Sequence, residues 1–347
     1  MTDQMLPNCR ATGIGSTPHT DTTTAVNFVL AHFKEVPFWP QLPRRTFMEN
    51  MYVQYTEYMP GICLDMEEER ISVLLDDAWL DQAEPFYAAF LEEDPNCFAL
   101  GDDYAAGFHE VVKRGVLDAW AVKGHVTGPI SLGFQIIDQN LRPSLYDDMM
   151  RDVLIKNVLR HAQWQEAQLR ALCPRTIVSI DEPCLSMFGS AYAAISREDV
   201  VGALEEIFSG LQGWTGTHCC GNTDWSLLME TSVDILFFDA FEYTEYLALY
   251  PNELRAFLDR GGMLGWGVVP NKGEVAETIT LDGAGEIFES ALARLEQKGF
   301  DRQELLPRSL ITPACGTGPL TVPVAERVMR LTCELSDRVR ASYQLGE

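Results

Sequence analysis

A histidine and two cysteines with the spacing of metal ligands stand out in the second half of this 347-residue sequence. His218 and Cys220 are two residues apart, so on an extended backbone their side chains point to the same side. An imidazole nitrogen and a thiolate presented together are good ligands for zinc. Two ligands do not complete a site, and Cys315 is the candidate third. The alternative is that these cysteines are small buried hydrophobic residues, which is what most free cysteines are.

The composition restricts the classes of partner. The sequence holds 26 basic and 51 acidic residues, and its net charge of −25 disfavours nucleic acid or an anionic membrane surface as a partner. No apolar run approaches the roughly 20 residues of a membrane-spanning helix, and residues 1–10 lack the basic start and apolar core of a signal peptide. Nine cysteines without the spacing of a disulfide scaffold fit a reducing compartment. We therefore expect a cytoplasmic protein that binds neither nucleic acid nor membrane.

Short apolar runs that alternate with helical patterns predict the fold. With 347 residues, of which 46% are apolar, the chain is long for an ordinary domain but has the size of one α/β barrel. Eight runs are candidate strands, and the helical segments between them favour parallel pairing. We predict a single TIM (β/α)8 barrel domain over residues 1–347, with strands at 11–16, 38–42, 119–123, 176–180, around His218, and at 234–239, 262–269 and 310–312.

A long excursion separates the second predicted strand from the third. It covers roughly residues 59–116, where the segment 69–75 has the pattern of one strand of a hairpin. Helical spacing follows at 80–91 and 103–113. We therefore expect an inserted hairpin and helices after the second strand of the barrel.

Polar side chains fall at or directly after the predicted strand ends. Active sites of parallel barrels lie at the carboxyl ends of the strands, so the joint placement of these side chains predicts a single pocket. They are Ser16, His125, Asp181, His218, Cys220, Asp239 and Cys315. For Asp181 taken alone, the capping of a helix is an equally good explanation.

Several motifs in a fixed order resemble one enzyme superfamily. IGSTPHT at 14–20, VKG and TGP within 122–129, and IDEP at 180–183 are followed by His-x-Cys and then by Cys-Gly. On these motifs the chain is similar to the superfamily of the catalytic barrel of cobalamin-independent methionine synthase, the corrinoid-dependent thiol methyltransferases and uroporphyrinogen decarboxylase. The resemblance extends over nearly the whole chain. It implies a barrel, bound zinc and transfer of a methyl group to a thiol.

The resemblance also implies a set of zinc ligands. His218, Cys220 and Cys315 match the family's histidine and two cysteines. The family's fourth ligand is a carboxylate just beyond the next strand. Aligning that strand gives Asp239, whereas counting residues from the histidine gives Glu242. We prefer Asp239, because a strand pattern is a better guide than a residue count across a loop.

Further site residues follow from the same motifs. Ile14, Gly15, Ser16 and Asp181 are the implied substrate-binding residues, and Asp181 and His125 are the candidate catalytic residues. Zinc with an exchangeable position holds a substrate thiol as the nucleophilic thiolate at neutral pH. We expect this sulfur to attack a methyl group presented at the barrel mouth.

Three positions depart from methionine synthase and bear on the methyl donor. Gln135 stands where the synthase has a tryptophan of its folate site. Arg45 lies near the position of the glutamate that binds the amino group of homocysteine, and Met187 replaces another glutamate. These differences argue against methyltetrahydrofolate, unless Trp39 or Trp266 restores the aromatic platform. We predict a zinc-dependent methyltransferase that moves a methyl group from a methylcorrinoid, held on a partner protein, to a small thiol such as homocysteine or coenzyme M.

Two other functions remain open at this point. A metal-free decarboxylase of the uroporphyrinogen type needs arginines for the carboxylates of its substrate, and Arg44 and Arg45 are the candidates. A non-catalytic module that binds zinc or a corrinoid would have its metal closed by four protein ligands. Metal content tests the first alternative, and a thiol-dependent change in the coordination of zinc tests the second.

Overall fold

Nine strands are present among residues 6–346, the part of the chain that the computed structural model describes. They are β1 (Arg10–Ala11), β2 (Ile62–Asp65), β3 (Arg70–Val73), β4 (Val122–Thr127), β5 (Thr176–Asp181), β6 (Trp214–Cys219), β7 (Ile235–Phe238), β8 (Met263–Val269) and β9 (Ser309–Pro313). Seven of them form a curved parallel sheet in the order β1-β9-β8-β7-β6-β5-β4, and β2 and β3 form a separate antiparallel hairpin. The predicted α/β class with a parallel sheet is confirmed.

The segment 37–43 lies between the two outer strands of this sheet, β1 and β4. It makes two isolated parallel bridges, one from Phe38 to Lys123 in β4 and one from Gln41 to Ser16 beyond β1. The sequence predicted a full strand at 38–42. Three of the seven residues in 37–43 are prolines, which have no N–H to donate, so a continuous hydrogen-bonded ladder does not form here.

Two further predicted strand limits are wrong, each because the main chain bonds to a different neighbour. The strand predicted at 119–123 begins only at Val122, since Trp120 and Ala121 both donate their N–H groups to the carbonyl of Glu35. The strand predicted at 11–16 is reduced to Arg10–Ala11. Residues beyond it turn towards the segment 37–43, where the carbonyl of Gly15 accepts the N–H of Gln41 at 3.2 Å.

Helices follow the strands and cover the outer face of the sheet. They are α1 (Thr22–His32), α2 (Trp79–Leu91), α3 (Asp102–Arg114), α4 (Pro129–Gln135), α5 (Asp148–Leu172), α6 (Arg197–Ser209), α7 (Trp225–Glu230), α8 (Ala240–Leu247), α9 (Pro251–Asp259), α10 (Gly273–Thr278), α11 (Leu281–Glu296), α12 (Arg302–Leu305) and α13 (Val322–Tyr343). The longest, α5, begins after Asp147, whose carboxylate accepts the N–H of Met150 at 2.9 Å. Its apolar stripe, which includes Leu154 and Val158, is buried where the helix contacts β4 and β5.

The residues of the predicted insertion form the β2–β3 hairpin and the helices α2 and α3. The hairpin is attached near the carboxyl end of the sheet, because Val73 donates its N–H to the carbonyl of Ile137, shortly after α4. His161 of α5 contacts the carbonyl of Phe98 through Nδ1 at 2.9 Å. This bond ties the connection between α2 and α3 to the longest helix.

Aromatic and basic side chains fill the amino end of the sheet. Trp120 and Trp214 stack with ring centroids 5.2 Å apart. The guanidinium carbons of Arg175 and Arg10 lie 4.6 and 5.1 Å from the centre of the Trp120 ring. With this end filled, the opposite, carboxyl end is left for polar side chains.

The helices within residues 6–346 include none that is both long and apolar enough to span a membrane. Residues 1–5 lie outside the described residues. They belong to the segment 1–10 on which the prediction about a signal peptide was based.

Candidate functional site

Three side chains predicted to bind metal come together at the carboxyl end of the sheet. His218 is in β6, Cys220 follows that strand directly, and Cys315 is the second residue after β9. One ligand atom from each of the three lies within 4.8 Å of the others. Two sulfur atoms and one imidazole nitrogen form a donor set typical of zinc, so the residues present fit the predicted metal.

The orientation of the His218 ring suits a metal ligand. Its Nδ1 lies 3.2 Å from the carbonyl oxygen of Phe237, in the neighbouring strand β7. A carbonyl only accepts hydrogen bonds, so the proton of the neutral ring is on Nδ1 and the lone pair is on Nε2. Nε2 lies 3.5 Å from Sγ of Cys315. A main-chain carbonyl that fixes the tautomer in this way is a usual support for a metal-binding histidine.

The two cysteines of the cluster differ in acidity. Hydrogen bonding from the Cys315 thiol lowers the pKa of Cys220 below its ordinary value. Desolvation acts in the opposite direction, while the hydrogen bond and the charge of His218 lower this pKa further. The same bond, together with desolvation, raises the pKa of Cys315 well above its usual range. Burial lowers the pKa of His218, but its bond to Cys220 and the negative charges nearby outweigh this and raise it. Cys220 is therefore the more acidic of the two cysteines.

Neither carboxylate considered as a fourth ligand joins this cluster among the described residues. Asp239, directly after β7, is buried, and its Oδ1 accepts the N–H of Glu242 at 3.0 Å, which caps α8. Burial raises the pKa of Asp239 to about 6. Glu242 has a side chain that is 40% exposed. Lys272 Nζ lies 4.0 Å from Oδ2 of Asp239 and 3.2 Å from Oε2 of Glu242, so it interacts with both candidates.

Asp181 lies beside the histidine of the cluster. It ends β5 in register with His218, and its Oδ1 accepts the Ser179 hydroxyl at 2.6 Å. Burial raises the pKa of Asp181, whereas the charges of Lys123 and His218 oppose that rise. A buried carboxylate next to the metal-ligand cluster is well placed to contact a substrate.

Lys123 is a site residue that the sequence analysis did not single out. Its side chain is fully buried, and its Nζ donates to the carbonyl of Ile14 at 2.8 Å. Burial lowers the pKa of this lysine to about 8, and the charge of Asp181 acts against that shift. The lysine thus bonds to the turn at residues 14–16, while its contribution at the end of β5 is the charge that acts on Asp181. A single charge inside the apolar run of β4 was the available signal.

The loop that carries Cys315 packs on the turn of residues 14–16. The carbonyl of Ser16 accepts the N–H and the hydroxyl of Thr317 at 2.8 and 3.0 Å. At Gly316 a Cβ would lie 2.2 Å from the Ser16 hydroxyl, so a larger residue here would displace that hydroxyl. The structure thereby places the predicted substrate-binding turn next to a predicted metal ligand.

His125 lies behind the same turn. Its ring stacks on Trp39, with centroids 4.0 Å apart and planes 14° from parallel. Burial lowers the pKa of His125 well below its usual range, so the ring is neutral. Neither ring nitrogen has a hydrogen-bond partner among the described residues.

The TGP and IDEP motifs meet through one carboxylate. Glu182 is fully buried and accepts the N–H groups of Ile130 and Ser131 at 2.9 and 2.8 Å, as well as the Ser131 hydroxyl at 2.6 Å. At Gly128 a Cβ would lie 2.1 Å from Oε1 of Glu182. This glutamate of IDEP therefore holds the first turn of α4 in place, which is a structural role.

Neither of the two tryptophans considered as a substitute for the missing aromatic platform provides one. Gln135 is exposed, and its Nε2 lies 3.7 Å from Sγ of Cys184. Trp39 and Trp266 are both fully buried, and their indole N–H groups donate to Gln165 and Ser309. Neither tryptophan offers an open face to a pterin ring.

The two arginines considered for a decarboxylase bond to the chain itself. Arg45 pairs with Glu49 at 2.8 Å and also donates to the carbonyls of Asp102 and Asp103. Arg44 donates to the carbonyl of Pro319 at 2.7 Å. Both guanidinium groups thus stabilise loops around the sheet.

Comparisons with known proteins identify a shared fold but no matching family model. No protein-family model matches the chain, and no curated protein matches it. A solved structure described as a methyltransferase from Methanosarcina mazei is similar over 96% of this chain and 94% of that one, with a TM-score of 0.54 and 13% identity. A B12-independent methionine synthase from Shewanella sp. W3-18-1, in complex with selenomethionine, aligns at 17% identity and a TM-score of 0.46, over 65% of this chain and 63% of that one. The first of these matches shows that the fold is shared over almost the entire chain.

Proposed function

We propose that this protein is a zinc-dependent methyltransferase that moves a methyl group from a methylcorrinoid, carried on a separate protein, to a small thiol such as homocysteine or coenzyme M. The observation that carries the proposal is the approach of His218 Nε2, Cys220 Sγ and Cys315 Sγ to within 4.8 Å of one another. They lie at the end of the parallel sheet where active sites of such folds are found. Within this proposal, the segment 37–43 takes the place of the eighth strand of a closed barrel.

The chain's own residues prepare the metal site. The Phe237 carbonyl keeps the Nδ1 proton of His218 in place and leaves Nε2 free to bind. Of the two cysteines Cys220 has the lower pKa, and Cys315 gives up its proton on binding. We assign Asp239 as the fourth ligand, because it is buried directly after β7, the strand that neighbours the strand of His218, whereas the Glu242 side chain is 40% exposed. When bound, zinc with an exchangeable position supplies deprotonation of a substrate thiol at neutral pH.

A second group of residues faces the acceptor. We assign Ile14, Gly15 and Ser16 to acceptor binding, since Ser16 packs on the loop of Cys315. Asp181 ends β5 in register with His218, and we assign its buried carboxylate to take up the proton that leaves the thiol. Acceptor binding by the turn at residues 14–16 and proton uptake by Asp181 both depend on groups that the fold brings to the carboxyl end of the sheet.

Two observations support the choice of reaction and donor. The fold shared with a methyltransferase from Methanosarcina mazei supports methyl transfer. The exposed Gln135 and the buried positions of Trp39 and Trp266 leave a pterin without a stacking partner, which favours a corrinoid. The bonding of Arg44 and Arg45 to the chain itself counts against a decarboxylase that uses them for substrate carboxylates.

The direct test is a methyl-transfer assay. Protein loaded with zinc is incubated with methylcobalamin and either homocysteine or coenzyme M, and the S-methyl product is measured by mass spectrometry. We expect product formation that depends on the metal and stops after chelation. Absence of product with both thiols, from protein that retains zinc, would contradict the proposal. A non-catalytic zinc module would, in addition, show no change in its zinc X-ray absorption spectrum when thiol is added.

A further inference from the structure

The carbonyl groups of the turn at residues 14–16 accept hydrogen bonds from three different parts of the chain. The pairs of donor and acceptor are Lys123 with Ile14, Gln41 with Gly15 and Thr317 with Ser16. Each peptide of the turn is therefore held separately, by β4, by the segment 37–43 and by the loop after β9. The last of these parts also carries a predicted metal ligand, Cys315.

Thr317 holds the turn with two donors. Its N–H and its hydroxyl lie 2.8 and 3.0 Å from the same acceptor, the carbonyl oxygen of Ser16. The side chain is 2% exposed, so water does not compete for these bonds. The glycines on either side pack closely on the turn, because a Cβ at Gly316 or Gly318 would lie 2.2 or 3.1 Å from the Ser16 hydroxyl oxygen. The turn and the loop after β9 thus form one tightly packed contact.

The other side of this loop is fixed to the end of β8. The side chain of Asn271 is buried, and its Nδ2 donates to the carbonyl of Gly316 at 2.7 Å. The N–H of Ala314 donates to the carbonyl of Val269 at 2.9 Å. Both main-chain neighbours of Cys315 are therefore held by β8 and the residues that follow it. The separation between its sulfur and the turn then depends on the bonds that Thr317 makes.

An acceptor that contacts the turn and the metal site together is bound at two points. In the function proposed above, the turn at residues 14–16 binds one end of the acceptor and the metal site binds its sulfur. Once one end is bound, binding of the other is intramolecular, and its gain is largest when the two points are already at the right separation. A turn that moved relative to Cys315 would have to be ordered on binding, which lowers affinity.

We propose that Thr317 is a positioning residue, which keeps the acceptor-binding turn at a fixed separation from the sulfur of Cys315. The inference rests on the function proposed above and adds a residue that acts through the Ser16 carbonyl, without touching the metal or the acceptor. Thr317 therefore contributes to the affinity for an acceptor that reaches both points. It contributes neither to zinc affinity nor to the binding of a thiol that reaches the metal alone.

Calorimetric titration of zinc-loaded protein with three thiols tests this inference. Homocysteine and coenzyme M have a head group for the turn, whereas ethanethiol has none. Wild-type protein should bind the better of the two acceptors more tightly than ethanethiol, and the ratio of the two Kd values measures the gain from the second point. Thr317→Val keeps the shape of the side chain but removes the hydroxyl. It should lower this ratio roughly 2- to 10-fold, which is the contribution of one hydrogen bond.

Two further variants separate positioning from general stability. Thr317→Ser keeps the hydroxyl and should restore the wild-type ratio. Thr332→Val is the matched control, because this buried threonine also donates its hydroxyl to a main-chain carbonyl, that of Val328 at 2.9 Å, but within α13. It should leave the ratio unchanged. All three variants should keep the wild-type zinc content and the wild-type affinity for ethanethiol.

Three outcomes would overturn the inference. The first is wild-type protein that binds ethanethiol as tightly as both acceptors, a result that needs no variant to fold. The second is a Thr317→Val variant with the wild-type ratio. The third is a Thr317→Val variant whose zinc content or affinity for ethanethiol falls as much as its affinity for the acceptor. Failure of the proposed function gives a different result, because then no thiol binds the zinc-loaded wild-type protein.

Discussion

Nε2 of His218 lies 3.5 Å from Sγ of Cys315, although 97 positions separate the two residues in the chain. Their strands, β6 and β9, are separated in the sheet by β7 and β8. The contact therefore crosses the carboxyl end of the curved sheet, and curvature is what brings the two side chains together. The first three predictions concern the metal that this contact would bind.

Replacement of either cysteine of the cluster should remove zinc. Wild-type protein is expected to hold about one zinc per chain. Loss of a residue that only supports a metal ligand lowers metal affinity roughly 10- to 100-fold. Cys220→Ser and Cys315→Ser remove a ligand itself, so each should lower zinc affinity by at least that factor. Cys219→Ser is the matched control, because this neighbouring sulfur is fully buried and contacts the carbonyl of Gly221 instead of the cluster. Metal analysis together with circular dichroism measures both metal content and folding. Full zinc content in both of the first two variants would exclude the site.

Asp239 should contribute more to zinc affinity than Glu242. Asp239→Asn removes the charge while keeping a side chain that can cap α8, and we expect a loss of affinity of about tenfold or more. Glu242→Gln is the matched change on the exposed carboxylate and should have little effect. Competition with a chelator ranks the two variants. A larger loss of zinc affinity from Glu242→Gln would instead assign the fourth ligand to Glu242, as the residue count from the histidine gives it.

Zinc affinity should increase with pH. The Cys315 thiol holds a proton because its bond to Cys220 and desolvation raise its pKa, and this proton must leave when metal binds. Displacement of one proton makes the dissociation constant fall by about tenfold for each pH unit. His218, whose pKa is also raised, adds a second proton at the lower end of the range, so the dependence should steepen there. Chelator competition at pH 6, 7 and 8 measures the slope, and an affinity independent of pH would contradict the release of this proton.

His161 should make the protein less stable in weak acid. Burial lowers its pKa from 6.5 to about 4, so between these values the unfolded chain binds a proton that the folded protein does not. Stability should therefore fall as the pH decreases from about 6.5 to 4, by up to roughly 3 kcal/mol from this residue. Urea denaturation at pH 7, 6 and 5 should show a weaker pH dependence for His161→Gln than for wild type. The buried His125 acts in the same direction and accounts for part of the remaining slope. A pH profile of His161→Gln that is identical to the wild-type profile would refute the assignment.

Methyl transfer should proceed from methylcobalamin and not from methyltetrahydrofolate. A pterin would meet the exposed Gln135 where stacking on an aromatic ring would contribute about 0.5–1.5 kcal/mol beyond burial. The measurement compares initial rates with both donors at equal concentration. Equal or faster turnover with the folate would reverse this prediction. Gln135→Trp tests the reason for it, because the added ring should raise folate binding without changing zinc content.

The sequence alone determined the features that depend on neighbouring residues. Alternation along a strand placed His218 and Cys220 on one side, and helical spacing predicted α2 and α3 within one residue at either end. It did not determine the first strand or the segment 37–43. The main chain after the first strand bonds to Gln41, and the segment 37–43 makes only isolated bridges to Lys123 and Ser16. Local propensity carries no information about such distant partners.

The site depended on contacts between residues far apart in the chain. The motif order pointed to Cys315, but only the curvature of the sheet brings its sulfur to His218. Lys123 escaped notice because its partner, the carbonyl of Ile14, lies 109 positions away. The link from Glu182 to Ile130 and Ser131, which joins two motifs into one structural unit, is likewise invisible in either motif. Side-chain identity and local spacing are written in the sequence, whereas strand register and the close packing of loops decide which distant atoms meet, and those arise only when the whole sheet has formed.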